Sequence, residues 1–207
     1  MRLFYLFGLA IGLLAGCQAP PPSPGPTSHA LWALPASQAN VGAWQAPSNL
    51  GHFTLTGDMQ ATERQHRALY YADNKGSTLE IRLRPLPGGW DDMPTERAVS
   101  AHLLQQQQQL MRRTRVAGAL AVSIFEQSKR VPNYHNTLVH TVAFSAQHAN
   151  TVWHHRLATT LLQPVFVSMV LRYPRGENVT DAELQALLKA FATANQSQWQ
   201  ASQQKET

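Results

Sequence analysis

From Leu79 to Arg84 the side chains alternate strictly: Leu79, Ile81 and Leu83 are apolar, while Glu80, Arg82 and Arg84 are charged. A period of two belongs to a strand with one face on a core and the other toward water. The preceding run Arg67 to Ala72 predicts its hairpin partner, closed by Asp73-Asn74-Lys75-Gly76, and a shorter strand at His52-Phe53-Thr54-Leu55 comes before the pair. Four more extended segments are expected at 119–127, 137–147, 151–161 and 164–173. Pro132-Asn133 and Ala149-Asn150 interrupt them, and Pro174-Arg175-Gly176 ends the last. Connections this short make the neighbours antiparallel. In the last segment Val165, Val167, Met169, Leu171 and Tyr173 alternate with Phe166, Ser168, Val170 and Arg172.

Two stretches follow the helical period instead. Pro85, Pro87 and Gly88-Gly89 end the hairpin, and Asp91 or Asp92 ahead of Pro94 marks a helix start, because proline is tolerated in a first turn. Val99, Leu103, Leu110 and Met111 form its apolar stripe. Gln105 to Gln109 are helix-permissive, Arg112, Arg113 and Arg115 suit the negative end of the dipole, and Gly118 lets the chain turn away. The second helix opens on the capping box Thr180-Asp181-Ala182-Glu183, carries Leu184, Leu187, Leu188 and Phe191 on one face, and ends near Asn195.

These elements predict one α+β domain over residues 50–196, a single antiparallel sheet of about six strands covered by two main helices in the order ββαββββα. The Gln- and Ser-rich residues 197–207 are expected to be a disordered tail. The element order resembles the PsbP-like fold, including the bacterial DcrB-type lipoproteins, from about Gly51 to Gln196. That resemblance implies architecture, and no site residue comes with it, since the fold hosts unrelated roles.

The N-terminal end has a different pattern. Met1-Arg2 precedes an uninterrupted apolar run from Leu3 to Leu14, too short to span a bilayer, which needs about 20 apolar residues. At its end Leu14-Ala15-Gly16-Cys17 resembles the lipobox of bacterial lipoproteins. The resemblance implies cleavage of residues 1–16, acylation of Cys17, and, because Gln18 rather than Asp follows, the outer membrane facing the periplasm. Cys17 is the sole cysteine, so no intramolecular disulfide competes for it. One acyl chain binds a membrane only marginally, whereas two or three anchor it.

Residues 17–49 read as anchor and tether. Gln18 to Ser28 holds five prolines, a semi-rigid stalk that at about 3.1 Å per residue spans roughly 30 Å. Leu31, Trp32, Leu34, Val41 and Trp44 leave open whether 30–49 docks on the domain.

Charge removes one class of partner. Without Arg2 the mature chain has sixteen basic against twelve acidic residues, too small and scattered an excess for nucleic acid. The partners expected are the membrane, through the lipid, and another envelope protein or a cell-wall component.

Nine histidines invite a metal. His135, His140, His148, His154 and His155 cluster around the central strands, and His140 with His154 on facing positions would reach one ion. Against this, no His-Glu-x-x-His or other ligand spacing occurs, His154 and His155 point to opposite faces, and half-exposed strand histidines are the plainer reading. Gly-x-Ser-x-Gly and the phosphate-loop and dinucleotide glycine patterns are absent. Trp90-Asp91-Asp92 is the candidate binding loop, although Asp91 and Asp92 also suit helix capping. Trp44, Trp90, Trp153 and Trp199 offer stacking surfaces for glycan or lipid, or else core packing. The reading favours a non-enzymatic binding module without a cofactor. A histidine-centred metal protein and a carrier of an apolar ligand between helix and sheet are the alternatives.

Overall fold

A computed structural model describes residues 39–61, 66–131, 139–177 and 179–203. The expected lipobox, Cys17 and stalk lie outside the described residues. Eight strands, Asn49–Leu50 (β1), Phe53–Ala61 (β2), His66–Ala72 (β3), Thr78–Pro85 (β4), Ala121–Val131 (β5), Val139–His148 (β6), Thr151–Leu162 (β7) and Val165–Pro174 (β8), form one antiparallel sheet in the order β1-β2-β3-β4-β8-β7-β6-β5. Three α-helices accompany it: Thr95–Val116 (α1), Asp181–Ala194 (α2) and Gln196–Gln203 (α3).

The α+β class holds, but the six-stranded sheet of order ββαββββα is corrected to eight strands and a third helix. At two residues, β1 is too short to show a period. In β2 only Phe53 is buried and Gly57-Asp58 interrupts the strand residues, so pairing with β3 around a bulge at Leu55/Gly57 overrides poor propensity. The expected disordered tail is corrected over 197–203, while 204–207 lie outside the described residues. Trp199 is buried in the core and its Nε1 donates to the Ala192 carbonyl at 3.1 Å, enough to hold one more helix against α2.

The turns are local chemistry. Asp73 Oδ1 accepts from the Lys75 and Ser77 amides, and Gly76 takes φ 92°, closing the β3–β4 hairpin. Gly118, at φ 90°, ends α1. Thr180 Oγ1 accepts from the Glu183 amide at 3.3 Å and caps α2 as expected.

Both faces of the sheet are covered. The odd-numbered residues of β8, Val165 to Tyr173, join Leu69, Tyr71, Leu79, Ile81 and Leu83 in a core roofed by α2, α3 and residues 39–50. The latter segment, whose docking was open, is a strap: a 3-10 turn at Val41–Ala43 followed by Trp44, which stacks on Phe191. Irregular backbone over an apolar core leaves carbonyls needing donors. Arg67 supplies them, its Nη1 donating to the carbonyls of Val41, Gly42 and Trp44. Its Nε and Nη2 grip Asp58 at 2.8 and 2.6 Å, and that pair holds the Asp58 carboxyl below the usual carboxylate range. From the other side the fully buried Asn195 accepts from the Gln45 amide at 2.6 Å and donates to the Gln45 carbonyl at 3.2 Å. Arg156 pins α2 to the sheet, binding Glu126 bidentately and Asp181 at 2.5 Å.

On the opposite face α1 lies across β5 to β8. Leu103, Leu110, Val142, Phe144, Leu157 and Val170 form one apolar patch beneath it, and Trp90, Val99, Leu161 and Phe166 belong to another. The rest of the seam is polar. His102, Gln105 and Gln106 of α1 are buried. His102 stacks on Phe166 and lies 3.0 Å from Ser168 Oγ, which is 2.5 Å from Thr159 Oγ1. His155, 6% exposed, stacks on Phe144 at 4.7 Å, and neither of its ring nitrogens has a hydrogen-bond partner. Burial, then Arg172, His148 and His154, pull its pKa from 6.5 to about 4. Burial, then Arg84 and Arg82, also depress that of His102.

Two outcomes are expected. Arg67→Leu strips three strap carbonyls and Asp58 of their donor, so chemical denaturation should register a loss of about 1–3 kcal/mol and limited proteolysis should cut first within 39–50. His102 and His155 are neutral when folded and bind protons more readily when unfolded. Stability is therefore full above pH 6.5 and falls toward pH 4, by roughly 1.4 kcal/mol per pH unit for each histidine. Denaturation midpoints across that window measure the slope, which His155→Phe should flatten.

Candidate functional site

The sequence candidates scatter. His140 lies on the α1 face of β6, its Nδ1 3.4 Å from Ser100 Oγ, while His154 lies on the strap face of β7, stacked on Tyr173 and edge-on to Phe125. They are also out of register, His140 opposite Thr159 and His154 opposite Ser145. The facing pair on which a shared ion would depend does not form, and no group of three His, Cys, Asp or Glu able to hold a metal occurs among the described residues. His135 lies outside them.

Trp90 is a core residue, in edge contact with Phe166 at 6.1 Å. Asp91 and Asp92 are exposed and cap nothing: the N-cap is Pro94, without a side-chain capping bond. The 90–92 loop therefore offers no concavity built from all three. Trp44 and Trp199 are core as well, and Trp153 carries the Arg172 guanidinium 3.8 Å above its ring. Ser168 and His102 meet in the buried seam between α1 and the sheet, where burial, then Arg84 and Arg82, disfavours the protonated imidazole.

What the topology does build is a groove. After β4 the chain crosses to the far edge of the sheet, so α1 packs mainly on β5 to β8 and only borders the same face of the β3–β4 hairpin, where Gln106 meets Arg82. The groove offers about 80 Å³ and is lined by His66, Arg67, Ala68 and Tyr70 of β3, Glu80, Arg82, Leu83 and Arg84 of β4, and Arg113 of α1. Cross-strand register sets this wall, with Tyr70 opposite Glu80 and Ala68 opposite Arg82. Both Glu80 oxygens accept from Arg82, from Nε and Nη2 at 2.6 Å each, and Arg82 Nη1 reaches Gln106 Oε1 at 3.2 Å. The polar edge of β4 is thus no simple wet face. Arg82 is 5% exposed, its charge spread over a planar network that forms the groove floor.

Sequence reasoning took Arg82 and Arg84 as solvated and Arg113 as a dipole complement. The hairpin alternation already put Arg82, Arg84, Ala68 and Tyr70 on one face, but Arg113 joins them only through the path of α1.

No protein-family model matches the chain, and no curated protein does. Among solved structures, the crystal structure of a Pseudomonas aeruginosa protein of unknown function, PA94, is similar at 14% identity, over 71% of this chain and 96% of that one, with a TM-score of 0.31. A likeness that low carries no argument about role.

Proposed function

We propose that this protein is a non-enzymatic envelope lipoprotein, anchored through Cys17 to the outer membrane and facing the periplasm, whose domain binds an envelope component in the groove of β3, β4 and α1. The observation that carries this reading is the Arg67 clamp. A tether is useful only if the chain leading into the domain is fastened to it, and Arg67 with Asn195 fastens residues 41–45 to the middle of the fold through five side-chain hydrogen bonds to backbone. Any pull arriving from the N-terminal side passes into β3, which is paired on both flanks, and into the end of α2.

The site chemistry supports binding over turnover. The groove's carboxylate is spoken for by Arg82, and the Ser–His contact at 168 and 102 is sealed from any substrate. A cationic concavity with an ordered floor suits recognition of a polar group.

Cell fractionation tests the anchor. Cys17→Ser should release the protein from the membrane fraction or leave the leader uncut. Normal processing with normal membrane retention would overturn the lipoprotein reading.

A further inference from the structure

We infer that the outer edge of β5 pairs with the same edge of a second copy of this chain, forming a two-fold dimer in which the sheet continues from one protomer into the other. Among the described residues β5 ends the sheet, so over its eleven residues the alternate N–H and C=O groups turned away from β6 meet no strand. Edges in that state are ordinarily blunted by charge, proline or a bulge. Between Ala119 and Phe125 there is neither charge nor proline, and the register against β6 is regular from Ala121 to Ile124, the bulges beginning only after Ile124. The opposite margin differs. There β1 pairs with Phe53 and Thr54, and beyond them β2 carries a bulge, Gly57 and the Asp58 carboxylate held by Arg67.

The same stretch shows apolar side chains to water: Leu120 is 74% exposed, Ile124 45% and Phe125 47%. Scattered singly such residues mean little, but together on an edge they form a contact surface. Val122 and Ile124 lie on the α1 face, opposite Ala146 and Phe144 of β6, and Val122, like Met111 of α1, packs against the apolar patch there. What selects a second copy is that this pattern complements itself. A two-fold axis through Val122, perpendicular to the sheet, sets Val122 against its own symmetry mate, Leu120 against Ile124, and Ala121 against Ser123. Residues directly opposite in an antiparallel pair share a face, so the large apolar side chains meet on one face and the small ones on the other, in both halves at once. The helices permit it. Because α1 is centred over β6 and β7, about one and a half strand spacings in from β5, the two α1 axes stand roughly 19 Å apart at about 4.8 Å per strand. That is beyond helix contact at about 8–10 Å, and salt screens the exposed Arg112 and Arg115 of the two copies over about 8 Å at physiological ionic strength. A contact this short is at the weak end of specific interfaces, so the dimer forms in the micromolar range.

The test uses the purified full chain in micelles of an uncharged detergent, its protein mass read by sedimentation equilibrium over a concentration series up to about 100 µM. A monomer–dimer equilibrium is expected, weakened at least about tenfold by Ile124→Lys, which sets an ammonium against the partner's Leu120. Oxidation of Val122→Cys should join residue 122 of one copy to residue 122 of the other, identified by mass spectrometry of the digest, because that pair lies on the axis. Ile124 is exposed at the edge, so its variant should keep the parent's thermal midpoint; Leu120→Asp, at a more exposed position, repeats the test if it does not. A chain that stays monomeric throughout, leaving the edge to a strand of another protein, overturns the inference. So does a dimer that folded Ile124→Lys leaves unchanged, or one that oxidation does not link between the two residues 122. None of these results touches the fractionation of Cys17→Ser, so anchor and dimer fail separately.

Discussion

Closing an apolar face with irregular backbone is possible only if the buried peptide groups find partners, and here one side chain meets most of that demand. Arg67 projects from β3 through the edge of the core to three strap carbonyls while Asp58 neutralises it from the neighbouring strand. A buried carbonyl left unpaired costs about 1–3 kcal/mol, so without the guanidinium the strap would gain little by lying on Leu69, Tyr71 and Phe191. With it, Trp44 can stack on Phe191 and complete the roof. An arginine suits this place better than a lysine, because its several donors point in fixed directions at once.

The two covers of the sheet are held by different physics. Beneath α2 and the strap the contacts are apolar, with polar bonds at the margins. Beneath α1 a run of His102, Gln105, Gln106, Ser168 and Thr159 threads between two apolar patches. Such a seam is strong only while its members are in the right protonation state and satisfied. His155, with neither nitrogen bonded, already shows where satisfaction stops. The α1 face is therefore the side on which acid acts first, and it is also the side on which the groove opens.

How much of this the residues disclose depends on the range of the forces involved. Period two over Leu79 to Arg84 and Val165 to Tyr173, the Asp73 to Gly76 turn and the Thr180 cap are local, and each element stands where its pattern puts it within a few residues. What was not legible is tertiary. Phe53–Ala61 becomes a long strand because β3 offers an edge, despite Gly57 and Asp58. Gln196–Gln203 is helical because Trp199 has a pocket beside Ala192. Gln105 and Gln106 sit in a glutamine run yet are buried, and Gln106 accepts from Arg82. His140 and His154 seemed a facing pair, yet they differ in face once the register of β6 against β7 is known. The groove itself joins a hairpin to a helix end some thirty residues later, which no local pattern can show.

A last consequence follows from the alternation of β3. His66, Ala68 and Tyr70 face the groove, while Arg67, Leu69 and Tyr71 face the strap and the core, so one strand carries the proposed ligand site on one side and the strap clamp on the other. Because β3 is paired on both flanks, by β2 and β4, tension entering at Arg67 is shared along two ladders of hydrogen bonds before it can reshape the groove. The clamp and the groove are thus neighbours in sequence, and Arg67 borders both while its guanidinium is turned to the strap. The register of β3 against β2 and β4 therefore fixes the strap clamp and the wall of the groove together.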